Sequence, residues 1–216
     1  MHPFEEYAYA ANDHLGTNKE RRDDVNRRLN AERPRLTAAL LKDAHAYAAN
    51  RGEALHDDAS RVAQWRDALR LVFESDDYLG MALYRLRTAL QARGIPVLPW
   101  MLRKICIAAF GIRIGDTVVL GAGVYMPHGN VVIDGLVRVG AGCVLCPWVT
   151  LGVNRGNILG PALGERVFVG TGARLLGGIS IGDGATIGAG AVVLHDVAPG
   201  TTVAGVPARV VAEKRT

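Results

Sequence analysis

One histidine, His128, stands where a six-residue rhythm of aliphatic residues slips by one position. The rhythm runs Ile114, Leu120, Met126 and then, after the slip, Ile133, Val139, Leu145 and Leu151. It skips Asn157 and continues as Leu163, Val169, Leu175, Ile181, Ile187 and Val193. An unperturbed imidazole titrates near about 6.5, so it can take a proton from a hydroxyl and return it to a leaving thiolate near neutral pH. The other residues with chemical potential form weaker sets. Cys143-Val-Leu-Cys146 is a CxxC without a second pair, and Cys143 falls on an inward position, which predicts core filling rather than zinc or redox work. His195 reads as an exposed turn residue, and His14, His45 and His56 have no ligand spacing. Trp65, Trp100 and Trp148 read as packing residues, and no Ser or Cys nucleophile elbow is visible.

A period of six is neither the 3.6 of a helix nor the 2 of a half-buried strand. Glycine often follows the aliphatic position, as at Gly115, Gly121, Gly140, Gly152, Gly164, Gly170, Gly182 and Gly188, and helices do not tolerate so much of it. A small or β-branched residue usually stands two places earlier, as at Val131, Val137, Cys143, Val149 and Ala173. The pattern predicts a β-solenoid of short flat strands, each sending one aliphatic side chain inward to stack on its equivalents in neighbouring coils. An extra residue must bulge out of its coil. His128 is therefore expected on a bulge, facing a neighbouring subunit.

The 216 residues divide by composition. Residues 1–110 are rich in Ala, Arg, Leu and Asp and read as an α-helical N-terminal domain; 111–210, rich in Gly and Val, read as the solenoid, and 211–216 as a tail. Helices are expected over Arg21–Leu29, Leu36–Ala49, Asp58–Phe73, Asp76–Arg93 and Leu98–Phe110, closing one end of the solenoid. In the fourth, Leu79, Leu83, Leu86 and Leu90 form the apolar face, while Arg85, Arg87 and Arg93 read as a solvated face. A formal charge of +4 and a pI near 9.1 suit phosphorylated small molecules or an acidic carrier protein. They are too weak and dispersed for nucleic acid. The acidic start Met1-His-Pro-Phe-Glu-Glu6 is no signal peptide, and Ile105–Phe110 is too short to cross a bilayer. No membrane is therefore expected, and because three cysteines cannot all pair, a reducing cytoplasm is expected too.

The repeat resembles the hexapeptide motif of the left-handed parallel β-helix acyltransferases, and Val203-Ala-Gly-Val-Pro-Ala-Arg209 resembles the tail signature of that superfamily. Within it, Ala92-Arg-Gly-Ile-Pro96, His128-Gly129, Val149-Thr-Leu-Gly152 and Gly188-Ala-Gly-Ala-Val-Val193 are similar to serine acetyltransferases. The resemblance implies a CoA-dependent O-acyltransferase, most simply an O-acetyltransferase, with acetyl-CoA or another acyl-CoA as co-substrate and no permanently bound cofactor or metal. His128 aligns with the catalytic histidine, implying direct transfer to a hydroxyl of a small amino-acid-like acceptor. Matching positions place oxyanion donors at the backbone of Gly152 and Val153. They place pantetheine contacts at Thr171 and Ala189, and phosphate contacts at Arg209 and Lys214. A homotrimer with sites between subunits is implied, with a dimer of trimers as the larger alternative.

Departures from the family mark what must differ. The aspartate fifteen residues before the histidine is Arg113 here, and the one just before it is Pro127. The family's Arg-His pair that holds the serine carboxylate falls on Leu159-Gly160. The imidazole must then be oriented by a backbone carbonyl, by Asp134 or by Asp116, and Arg113 or Arg155 become the candidates for the acceptor's carboxylate. The loop from Asn154 to Ala162 is expected to leave the solenoid and shape the acceptor pocket. The alternatives are acylation of a sugar or natural-product hydroxyl, and a non-catalytic scaffold that binds an acyl carrier protein. A γ-type carbonic anhydrase needs three converging histidines, and the solenoid offers only His128 and His195.

Overall fold

The computed structural model describes residues 27–53, 55, 60–155 and 157–213. The outset of the helix expected from Arg21, the start of that expected from Asp58, His14, His56 and Lys214 lie outside the described residues. Residues 27–32 are helical and precede α1 (Leu36–Asn50), α2 (Arg61–Glu74), α3 (Asp76–Ala92) and α4 (Val97–Phe110). Local chemistry sets most of these ends. Ser60 Oγ accepts the Ala63 N–H at the start of α2, and Ser75 Oγ accepts that of Tyr78 at the start of α3. Gly111, left-handed at φ 64°, stops α4 and turns the chain into the solenoid.

From Arg113 the chain winds through three flat faces in turn. The first face stacks β1 (Arg113–Ile114), β3 (Val132–Ile133), β6 (Thr150–Gly152), β9 (Arg174–Leu176) and β12 (Val192–Val193). The second stacks β2 (Val119–Leu120), β4 (Leu136–Val139), β7 (Leu159–Leu163) and β10 (Ser180–Ile181). The third stacks β5 (Val144–Leu145), β8 (Phe168–Val169), β11 (Thr186–Ile187) and β13 (Thr201–Gly205), closed by the antiparallel β14 (Ala208–Glu213). All other pairings are parallel, and the architecture is a left-handed parallel β-helix behind an α-helical N-terminal region. Each repeat position points inward in register: Ile114, Ile133, Leu151, Leu175 and Val193 form one buried column on the first face. At roughly 1.5–3 kcal/mol per buried aliphatic side chain, these columns are the main stabilising term. Glycine is compulsory where coils touch. A Cβ on Gly121 would lie 2.6 Å from the Ala141 nitrogen.

Two arginines expected in solvent are instead buried and fasten the helices to the first coil. Arg85, 5% exposed, donates to Asp43 Oδ2 at 2.8 Å and to the carbonyls of Leu120 at 2.8 Å and Gly121 at 2.5 Å. Asp43 also accepts the Gly123 N–H at 2.7 Å. Arg87, 2% exposed, donates to Ile114 O at 3.0 Å and Asp116 Oδ1 at 2.5 Å. The reason is that the first coil has no coil beneath it, so its free carbonyls must be answered, and guanidinium supplies several donors at once. Only Arg93 is exposed as expected. The inner face of α3 consequently carries Tyr78, Met81, Tyr84, Arg85 and Thr88, while Leu86 is exposed and Leu79, Leu83 and Leu90 are half-buried, reversing the expected apolar side.

The tryptophans are also not core residues: Trp65, Trp100 and Trp148 are all exposed in the single chain. Cys143 is buried as expected. Among the described residues no helix is long and apolar enough to cross a membrane.

Candidate active site

The slip residue occupies a strained corner. His128, Gly129 and Asn130 are three consecutive left-handed residues, at φ 58°, 56° and 53°. For the two non-glycine residues that conformation costs on the order of 1 kcal/mol each. Neighbouring backbone holds it in place. Asn130 N–H donates to Phe110 O at 3.0 Å, Trp148 N–H to Asn130 O at 2.8 Å, and the Asn130 amide to His128 O at 2.9 Å. A Cβ on Gly129 would collide with the Phe110 carbonyl, so the α4 end and this corner are packed backbone against backbone. The bulge throws the His128 side chain outward, 81% exposed in the single chain.

The carboxylate that faces the imidazole comes from the helical region. Asp77 Oδ2 lies 3.9 Å from His128 Nδ1, too long for a hydrogen bond but within ion-pair reach. Asp77 belongs to the first turn of α3, where the helix dipole favours an anion. A cavity of about 410 Å³ runs between them, lined by Asp76, Asp77, Phe110, His128, Gly129 and Asn130 among others. Sequence reasoning missed Asp77. It lies 51 positions before His128 (128 − 77), and its only signal was the acidic pair following the Ser75 cap. Neither expected partner faces the ring: Asp116 is taken by Arg87 and by Arg103 at 3.6 Å, and Asp134 stands at the far end of β3.

The corner heads a continuous edge of the prism. Successive corners between the third and first faces are joined by backbone bonds: Trp148 N–H to Asn130 O, Gly172 N–H to Pro147 O at 2.9 Å, and Gly190 N–H to Thr171 O at 2.8 Å. The corners that carry His128, Trp148, Thr171 and Ala189 thus follow one another along one edge, and all four residues are exposed. With about 4.8 Å per corner the edge spans roughly 14 Å. Trp148, itself left-handed at φ 66° and 64% exposed, sits between His128 and Thr171 and was read from sequence as a packing residue.

The remaining expected residues fall elsewhere on the chain. Gly152 and Val153 end β6 at the opposite edge of the first face, the edge that also carries Asp134 and Arg155. Arg113 points outward from β1, on the column shared with Val132, Thr150 and Arg174. Within one chain these groups and His128 flank the first face instead of meeting. Leu159 and Gly160 are buried in β7 and cannot bind a carboxylate. The loop expected over 154–162 is shorter than that, because Leu159–Leu163 rejoins the second face. Arg209 is exposed on β14, its guanidinium bonded only to the neighbouring Ala208 carbonyl. Cys146, half-buried next to this edge, has its thiol pushed up by burial, which suits packing rather than nucleophilic attack.

Comparison with known proteins matches this architecture. Residues 160–195 match the family described as bacterial transferase hexapeptide (six repeats), and 105–126 match the hexapeptide repeat of succinyl-transferase. The chain is 36% identical over 150 residues to a serine acetyltransferase of Synechococcus elongatus, covering 68% of this chain and 61% of that one. It is 38% identical over 136 residues to a serine acetyltransferase of Helicobacter pylori, covering 61% of this chain and 79% of that one. The solved structure of soybean serine acetyltransferase superposes with a TM-score of 0.67 at 30% identity, over 82% of this chain and 69% of that one. The chain therefore spans about three fifths of the Synechococcus relative and about four fifths of the Helicobacter one.

Proposed function

The chain belongs to the serine acetyltransferase family of hexapeptide-repeat transferases, and we propose that it moves an acetyl group from acetyl-CoA to the hydroxyl of a small amino-acid-like acceptor. The observation that carries this reading is the exposed His128 on a strained corner, a carboxylate on one side of its ring and a groove-like edge running away from it. His128 Nε2 takes the acceptor's hydroxyl proton as the oxygen attacks the thioester carbonyl. The C–O bond forms, the carbonyl becomes an oxyanion, and backbone N–H groups at Gly152 and Val153 stabilise it. Collapse breaks the C–S bond, and the imidazolium returns its proton to the thiolate of CoA. Asp77 faces Nδ1, holds the ring and stabilises the imidazolium, the part that the family gives to an aspartate at the place of Arg113. The thioester arm follows Trp148, Thr171 and Ala189 along the prism edge, with Arg209, and Lys214 beyond it, toward the nucleotide phosphates.

Because His128 and the oxyanion donors flank the first face in one chain, a complete site needs a second copy: imidazole from one subunit, Gly152 and Val153 from the next. This is the reason for proposing a homotrimer. Serine is the acceptor named by the relatives, and Arg113 and Arg155 are the cations available for its carboxylate. A panel of serine, homoserine and sugar acceptors assayed for thiol release from acetyl-CoA tests the reading. Turnover with an amino-acid acceptor, lost in His128→Ala, is the expected result. Turnover that survives the substitution would overturn the assignment of the base, and no acetyl-CoA turnover with any acceptor would overturn the reaction.

A further inference from the structure

A second cavity lies away from the one at His128. It has a volume of about 580 Å³ and lies where residues 30–37, the inner face of α3 and the first coil meet. It shares no lining residue with the cavity against His128. Four arginines line it, Arg33, Arg35, Arg85 and Arg93, together with apolar wall from Tyr84, Leu36, Ala89 and Leu120. No carboxylate is among its described lining residues.

Among the described residues the cations around this junction outnumber the carboxylates that face them. Asp43 answers Arg85, and the single Asp116 carboxylate is shared by Arg87 and Arg103. Among the described residues Arg33 hydrogen-bonds neutral acceptors only, Asn30 Oδ1 at 2.6 Å and the carbonyls of Asp116 at 2.5 Å and Val118 at 3.5 Å. Its Nε is buried with no acceptor. Arg93 is exposed and, among the described residues, bonds only the Ala89 carbonyl. The first turn of α1 also opens onto the space: its N-cap is Arg35, no side chain caps it, and the turn holds no acid. Unanswered N–H groups at a helix start attract anions, and a basic cavity around them strengthens that field.

We propose that this cavity is a binding site for a small organic anion, a phosphate or carboxylate carried on an apolar body. The charged end sits between Arg35, Arg93 and the start of α1, and the body lies against Tyr84 and Leu120. Since Arg33 and Arg85 tie the helices to the first coil, an occupant joins both halves of the molecule at a place remote from the reaction.

Calorimetric titration of the full chain with phenyl phosphate tests this. Saturable binding is expected in wild type, and it weakens about tenfold or more in Arg35→Ala/Arg93→Ala, since each substitution removes a charge-assisted hydrogen bond. Both substituted side chains are exposed, so folding is unaffected; a circular dichroism spectrum checks it. His128→Ala should bind phenyl phosphate as wild type does. No saturable binding, equal binding by the double arginine variant, or a loss in His128→Ala that matches the double variant would each overturn the proposal.

Discussion

At the scale of single residues, the proposed chemistry concentrates on one imidazole and the carboxylate beside it. Replacing His128 by alanine removes the proton acceptor, and we expect kcat to fall by at least about 100-fold with unchanged circular dichroism, in line with the usual contribution of a general base. Asp77→Asn keeps the shape and removes the charge. It is expected to lower kcat by roughly 10–100-fold while leaving the KM for acetyl-CoA within a factor of about two, in the manner of a lost ring-orienting partner. A parallel fall in kcat and rise in that KM would instead mean that Asp77 only supports the fold. Neither residue's partner could be read from the chain, because Asp77 and His128 meet only through the docking of α3 on the first coil. Cys143 shows the opposite case, for its inward repeat position announced its burial. Burial pushes its thiol up to about 11, so it stays protonated in the fold while an unfolded cysteine ionises near about 8.5. The stability it contributes is full below pH 8.5 or so and is lost as the pH climbs through about 11. Urea melts between pH 8 and 11 should therefore fall less steeply in Cys143→Ala, and native Cys143 should resist alkylation at pH 8.

At the scale of elements, the periodic strands were legible and the helix docking was not. Ile114 through Val193 mark their own strands because each must fill the same inward position in every coil. Arg85 and Arg87 carried no comparable mark: three arginines on one helix look like a wet surface until the uncovered carbonyls of Ile114, Leu120 and Gly121 are set against them. This junction should be fragile to truncation. Asp43→Ala leaves Arg85 buried and unpaired, and a loss of about 3–5 kcal/mol is expected in urea unfolding, as for other broken buried pairs. The corner is equally constrained. Gly129→Ala places a Cβ against the Phe110 carbonyl in left-handed backbone, so it should lower both stability and activity, by at least about 1–2 kcal/mol in the first.

At the scale of the whole molecule, a site divided between copies makes a distinctive prediction. His128→Ala and Val153→Pro subunits should each be inactive alone, the second because proline removes the N–H proposed to face the oxyanion. Co-refolded, they should regain a measurable fraction of wild-type turnover, since some interfaces then combine an intact histidine with an intact backbone donor. Sedimentation should give a particle of three 23.1 kDa chains; a monomer that turns over would sink the divided site. The order of the residues alone determined the prism, its inward columns and the position of His128 on the one-residue slip, because a solenoid repeats the same local packing in each coil and writes that repetition into the chain. Only the tertiary structure decided that Asp77 faces the ring, that Trp148 turns outward on the same edge, and that Arg85 and Arg87 are buried. Those are contacts between elements far apart in sequence, fixed by which carbonyls the first coil leaves open and which helix comes to cover them.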